Sequence, residues 1–370
     1  MFLIYLLIAY LIPGIYVFLR ISFLLVAPGK RLYFALIYIL LISAFPLTEI
    51  VLHEDPPAIL MPLLKIGFYT MPFMLYLFLL VLFFDIFLLL NLLFKWISFG
   101  YFKSPGFRKY GMAVCLAFPS TIVILGIYHF NKIRVSEYNI TVNGNPAGKN
   151  TLKIAFVSDF HIGDLTTISF VERFTDRIRT IDPDILLFGG DLLEGDSEDL
   201  RTRKIEALFQ QLDIPYGIYG VFGNHEYHSL EKSYAFYRHA GITVLRDSVL
   251  MIDNSFYLAG RKDSRNRNRK PVGKLLECLG NEYPVILLDH RPTDFAATAD
   301  SGADVQFSGH THHGQLFPFN YITRHLYELS WGYKKIGSTH FFVSSGIQLW
   351  GPPVRTAGKS EIMVVSIQFR

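Results

Sequence analysis

The chain has 370 residues and a formal charge of +4, and it is 51% hydrophobic and 15% aromatic, with its apolar weight concentrated before residue 130. So mild a charge does not point to nucleic acid, and no nucleic-acid motif, Walker loop, dinucleotide fingerprint or internal repeat is present. Two cysteines, Cys115 and Cys278, imply no disulfide framework.

Four segments predict an all-α bundle of about four transmembrane helices: Phe2–Leu19, Leu32–Leu52, Ile66–Phe94 and Gly111–Tyr128. A helix needs about 20 apolar residues to cross the hydrocarbon core, and a soluble bundle would alternate with polar faces. No basic region precedes Phe2 and no small-residue cleavage site follows, so the first segment does not read as a cleaved signal peptide. Asp85 lies within the third span, where a carboxylate is costly; it either serves a function or helps the bundle pack. Neighbouring helices offer it no mid-span ionisable partner in this reading.

The first connection holds Arg20, Lys30 and Arg31 and the third holds Lys95, Lys103, Arg108 and Lys109, whereas the second is His53-Glu54-Asp55-Pro56-Pro57. Basic loops stay in the cytoplasm. The chain thus reads as a multi-pass protein of the cytoplasmic membrane, with the residues after Tyr128 outside the cytoplasm and the lipid bilayer as a partner.

Residues 131–150 read as a linker and first strand, with Val135–Val142 strand-like and a turn at Asn143–Pro146. From 151 to 370 short apolar runs alternate with helix-like stretches at 168–180, 200–212, 231–240, 272–280 and 293–299. Later strands are predicted at Thr339–Val343 and Glu361–Phe369. Such alternation predicts one layered α/β domain.

Five of the strands end in chemically loaded clusters: Ser158–His161, Gly189–Asp191, Gly223–Glu226, Asp289–Pro292 and Gly309–His312. Strand ends are where an α/β sheet gathers its ligand groups. Asp159, His161, Asp191, Asn224, His290, His310 and His312 offer carboxylate, amide and imidazole donors, with Asp191 able to bridge two ions. That mixture suits two divalent transition-metal ions, Mn, Fe or Zn, better than Ca or Mg. Two cations about 3.5–4 Å apart can clamp a phosphoryl oxygen and acidify a shared water, whose hydroxide then attacks phosphorus.

These clusters resemble the calcineurin-like metallophosphoesterase superfamily across residues 151–370. The runs Gly223–Tyr227, Gly309–Gln315 and Trp350–Arg355 are similar to those of its membrane-anchored branch, the transmembrane proteins with a metallophosphoesterase domain. The resemblance implies a four-layer α/β/β/α sandwich following the bundle of residues 1–130. It implies that Asp159, His161, Asp191 and His312 hold one metal and that Asp191, Asn224, His290 and His310 hold the other. It also implies that His225 assists the leaving group.

His313 departs from the branch, which has Gly there, and reads either as a substrate contact or as a surface imidazole. Arg261–Lys270 carries six Lys or Arg against one Asp; it reads as a clamp for an anionic group, beginning with Arg261, or as a solvated loop. Arg355, stiffened by two prolines, is a candidate phosphate contact. The function expected is hydrolysis of a phosphomonoester or phosphodiester, with a lipid-linked or cell-envelope phosphate as the substrate. The resemblance adds UDP-2,3-diacylglucosamine pyrophosphatase as an alternative, although its substrate is made on the cytoplasmic side. A transporter would need more polar residues in the spans than Asp85 and Asn91, and a sensor or scaffold with a retired domain would have lost a ligand.

Overall fold

The computed structural model describes residues 2–52, 58–144, 150–194, 200–280 and 282–370. The acidic loop 53–57 and turn residues 145–146, used above, lie outside them. By internal contacts the chain divides into two units, Met1–Tyr128 with Gly351–Val354, and His129–Trp350 with Arg355–Arg370.

The N-terminal helical region contains α1 (Phe2–Leu24), α2 (Arg31–Leu52), α3 (Met61–Phe94) and α4 (Pro105–Asn131). Among the described residues, Pro28–Val51, Pro62–Phe94 and Pro105–Asn131 are long and apolar enough to cross a membrane, and Ile8–Leu24 is a shorter apolar stretch. Two sequence expectations need correction. Arg20 is not a loop residue, because α1 runs on past it to Leu24. Nor is Asp85 without a partner: Arg20 donates to its two oxygens at 2.6 and 2.5 Å, and the Tyr16 hydroxyl donates to it as well. A partly enclosed charge among apolar helices gains from such a partner, and helices three and one supply it to each other. Asn91 is buried at the end of α3 and exchanges two hydrogen bonds with the backbone of Ile97, which closes the following turn.

The second unit is a mixed α/β sandwich. Its elements run β1 (Arg134–Val142), β2 (Thr151–Val157), α5 (Ile168–Ile181), β3 (Ile185–Phe188), α6 (Leu200–Gln210), β4 (Ile218–Val221) and α7 (Leu230–His239). There follow β5 (Thr243–Leu245), β6 (Ser248–Ile252), β7 (Phe256–Gly260), α8 (Val272–Leu276), β8 (Val285–Leu288), α9 (Phe295–Ala299) and β9 (Val305–Ser308). The chain closes with α10 (Phe319–Leu326), β10 (Gly332–Ile336), β11 (Thr339–Val343) and β12 (Glu361–Phe369).

One six-stranded sheet has the order β1-β12-β2-β3-β4-β5 and the other β10-β11-β9-β8-β7-β6. Ile154, Phe156, Leu187 and Val221 of the first meet Leu258, Ile286, Leu288 and Phe307 of the second in one buried core. Phe170 and Phe174 of α5, Phe209 of α6 and Tyr237 of α7 cover the outer face of the first sheet, while Leu275 and Leu276 of α8 pack on the second. Both faces of each sheet are covered. That is why β3 and β8 read as continuous apolar runs instead of alternating ones, and why even Gln306 and Ser308 of β9 are buried.

Candidate metal centre

Strands β2, β3 and β4 are parallel neighbours, as are β8 and β9. Their carboxyl ends therefore present Asp159 and His161, Asp191, Asn224 and His225, His290, and His310 and His312 at one end of the sandwich. Three triads bring ligand atoms within 4.8 Å of one another: Asp159–His161–His312, His161–Asp191–His225 and Asp191–His290–His310. Asp191 belongs to two of them, and the second draws His225 close to the ligands. Asn224 is buried, and Arg291 donates to its side-chain oxygen at 3.4 Å.

The backbone is bent to achieve this. Asp159 (φ 57°), His161 (47°), Asp191 (50°), His310 (70°) and His312 (47°) all lie in the left-handed region, where a side chain with a Cβ is disfavoured by about 1–2 kcal/mol. Strain of this kind gathers at functional sites, held by surrounding structure. The glycines of two motifs have a steric reason: a Cβ on Gly223 would come within 2.2 Å of Asp191 Oδ1, and one on Gly309 within 1.9 Å of Ser158 Oγ.

Electrostatics divides the imidazoles into two pairs. Burial disfavours charge on His161, but Glu194, Asp191 and Asp159 outweigh it and raise its pKa to about 9. Burial likewise opposes a charged His290, yet Asp191 and Asp159 raise it to about 10. His310 is pushed down to about 3 by burial and by the charges of His290 and Arg291. His312 is lowered by burial and by His161. Against the pull of its own burial, Asp191 is held well below the carboxylate range by His290, His161 and His225.

The donor set fits divalent cations. Nε2 of His161 and His312 face each other at 3.1 Å, and Asp159 Oδ1 is 3.5 Å from the latter. Nε2 of His290 lies 3.1 Å from Asp191 Oδ2 but forms no hydrogen bond, and Nδ1 of His312 is also buried without one. Converging, underused donors among carboxylates are what a cation would satisfy.

Two carboxylates that the sequence reading passed over organise this centre. Glu226 is fully enclosed and accepts from the backbone N–H groups of Asp191, Leu192, Leu193 and Gly223. It thereby ties the β3 loop to the β4 loop. Glu194 accepts from His161 Nδ1 at 2.6 Å and stands 2.8 Å from Nδ1 of His225. An acid at the fourth place of a Gly-Asn-His-Glu run, pointing back at its own loop, was a legible signal for Glu226. Glu194 carried none.

The three expected substrate contacts are turned into the fold. Arg261 is 4% exposed; it donates to Asp289 at 2.7 Å and to the Lys270 carbonyl at 3.2 Å, and Arg269 joins it on Asp289. Arg355 is 1% exposed and donates to the carbonyls of Ser345, Gly346 and Gln348. Its loop in turn bonds the backbone of Ser158 and Asp159. His313 is buried, with φ 48° where a glycine would be unstrained, and its ring meets Ser330 Oγ at 3.0 Å. From the basic loop, it is Arg265 that reaches the centre: it donates to the Asn224 carbonyl at 3.1 Å and faces His228 Nε2 at 3.3 Å.

Residues 152–314 match the family model described as calcineurin-like phosphoesterase. An uncharacterized metallophosphoesterase of Aquifex aeolicus is 34% identical, the match covering 66% of this chain and 97% of that protein. One of Helicobacter pylori is 32% identical, over 57% of this chain and 58% of its own length. A Bos taurus transmembrane protein with metallophosphoesterase domain is 29% identical, over 70% of this chain and 64% of the relative. The chain thus spans about three-fifths of the last two proteins.

Proposed function

The chain belongs to the calcineurin-like metallophosphoesterase family, and from that premise we propose that it is a membrane-anchored hydrolase of phosphomonoesters or phosphodiesters borne on lipids or other cell-envelope molecules. The observation that carries the hydrolase reading is the pair of triads sharing Asp191, His161–Asp191–His225 and Asp191–His290–His310, with Asp159–His161–His312 joined to the first through His161. Asp159, His161, Asp191 and His312 would hold one divalent ion, and Asp191, Asn224, His290 and His310 the second. When bound, such ions neutralise the phosphoryl oxygens and acidify water.

The remaining steps fall to the protein. His225, at the mouth of the centre, delivers a proton to the departing oxygen, which is what a poor leaving group requires. Its backbone N–H donates to Asp191 Oδ1 at 2.8 Å, so the residue is fixed relative to the bridging carboxylate. Glu194 steadies the rings of His161 and His225 together. Arg265 and Arg291 supply positive charge beside Asn224, Arg291 being held by Asp263 at 2.8 Å. The three long apolar helices support the membrane anchor.

The test is a metal analysis of the purified full chain together with a hydrolysis screen. About two transition-metal equivalents and turnover of nitrophenyl esters are expected, with higher turnover of lipid phosphates. A metal-replete protein inert toward nitrophenyl monoesters, nitrophenyl diesters and lipid phosphates alike would defeat the reading.

A further inference from the structure

Helix α10 begins seven residues after His312 and buries none of its side chains. Phe319, Ile322 and Leu326 recur at helical spacing on one face and are 38%, 55% and 70% exposed, and Phe317 and Tyr321 beside them are 45% and 59% exposed. A soluble domain has no reason to leave such a stripe in water. Basic residues accompany it: Arg324 and His325 occupy its last turn, and Lys334 and Lys335 follow. Glu328, the one acid between Phe317 and Ile336, is paired with Lys334.

The position of α10 within its own unit gives the stripe a direction. Strand β12 runs antiparallel to β2 with Met363 opposite Phe156, so Glu361 is level with Ser158 at the metal end. Strand β1 is parallel to β12 with Arg134 opposite Glu361. The chain therefore enters the sandwich at the same end as the metal centre. Only Lys132 and Ile133 separate Arg134 from α4, a helix long and apolar enough to cross a membrane. The segment carrying α10 is pinned at this end too: Ser330 accepts from Thr311, and Trp331 Nε1 donates to Glu361 at 2.6 Å. Tether, metal centre and apolar helix share one end.

We propose that α10 is an interfacial helix that inserts its Phe319–Ile322–Leu326 stripe into the surface of the bilayer, with Arg324 and His325 among the phosphate headgroups. This rests on the membrane-anchored reading above and deepens it, since it sets the centre against headgroup esters. An exposed apolar face flanked by cations is the pattern that lies in a membrane interface, more strongly with anionic lipid.

The test uses the full chain with Cys115 and Cys278 replaced by Ala and a single cysteine at Ile322, Leu326 or, as a control, exposed Lys274. Each carries a polarity-sensitive nitrobenzoxadiazole label, in nanodiscs of phosphatidylcholine and phosphatidylglycerol that hold one chain each. Labels at 322 and 326 should shift to the blue and be quenched by lipids spin-labelled near the headgroup, while the label at 274 responds only to aqueous iodide. Equal iodide quenching at all three positions would overturn the proposal. So would protection seen only in discs holding two chains, which would assign the stripe to self-association. In a second arm, Ile322→Glu with Leu326→Glu should slow hydrolysis of phosphoesters in the bilayer by about tenfold or more and leave a soluble nitrophenyl diester unaffected. Equal loss on both substrates would count against docking. A wild type inactive on every ester would refute the hydrolase reading, and the fluorescence would still decide the role of α10.

Discussion

His161 donates its Nδ1 proton to Glu194 at 2.6 Å, and that bond dictates which nitrogen it can offer a cation. With Nδ1 committed, Nε2 is the free donor, and it is Nε2 that faces His312 and the carboxylate of Asp159. An imidazole so held has one tautomer and one orientation.

Glu194→Gln keeps the size of the side chain and removes the charge. It should weaken metal affinity by roughly 10–100-fold, the usual penalty for losing a carboxylate behind a ligating histidine. Competition against a chromogenic chelator measures this directly. Unchanged affinity would mean that the geometry of His161 is fixed by packing alone.

Asp191→Asn should remove most of the metal and nearly all activity, because two of the three triads lose their shared carboxylate. Chelation of the wild type should lower its melting temperature for the same reason. Metal uptake should also release protons: His161 and His290 hold theirs up to about 9 and 10, and a ligating imidazole must be neutral. Affinity therefore rises with pH through neutrality and levels off above those values. Calorimetry in buffers of different ionisation enthalpy would count the protons, and an active, metal-free Asp191→Asn protein would end the metallohydrolase reading.

His225→Ala separates holding metal from protonating a leaving group. It should retain metal while turnover falls by roughly 10²–10⁴, the range for a lost general acid. The fall should be smaller for nitrophenol than for an alkyl alcohol. Because His225 also lies within reach of His161 and Asp191, loss of metal in this variant would make it a ligand instead.

The legibility of this molecule follows burial. Strands β3 and β8 are enclosed on both sides and are unbroken apolar runs ending at Gly189 and Asp289, the apolar residues of β2 and β9 lead on to Asp159 and Gly309, and these strand ends announced the centre. Edge strand β1 was read in advance, but the other edge elements were silent. Strand β5 has three residues and β10 alternates without a strong apolar face; the β6–β7 hairpin was signalled only by Asp253 and Asn254, both at positive φ. Helix α10 escaped because an exposed apolar stripe breaks the rule that apolar residues mark a core. The packing of Arg261 and Arg355 was illegible for a related cause. Sequence spacing shows that a cation is near the site, but whether it faces phosphate or the loop's own carbonyls depends on where the chain folds back.

The Arg20–Asp85 pair predicts a stability pattern in place of a catalytic one. Asp85→Leu alone strands a guanidinium in the helical region and should destabilise it by about 1–3 kcal/mol, the cost of leaving a polar group without its partner. Adding Arg20→Leu should recover most of that loss. Unfolding in mild detergent, followed by circular dichroism, compares the three proteins. If the double variant is as unstable as the single one, Asp85 is held for something other than its partner.

The last prediction concerns the side of the membrane on which the centre works. With Arg20 committed to Asp85, the basic charges at the connections reduce to Lys30 and Arg31 at the start of α2, Lys95 and Lys103 between α3 and α4, and Arg108 and Lys109 in the first turns of α4. The connection between α2 and α3 still carries Glu54 and Asp55. That asymmetry favours basic loops in the cytoplasm, and four crossings then leave the phosphoesterase domain outside. Ser264, exposed in the basic loop, and Ser98, exposed between α3 and α4, are suitable probes. With Cys115 and Cys278 replaced, a cysteine at 264 should react with a membrane-impermeant maleimide once any outer membrane is permeabilised. A cysteine at 98 should stay protected until the inner membrane is lysed. The opposite pattern would place the centre in the cytoplasm and favour a nucleotide-linked lipid as its substrate. Because the apolar stretch Ile8–Leu24 of α1 is shorter than those of the other three helices, the amino terminus should be tagged as well: with α1 crossing, the tag and position 264 report the same side.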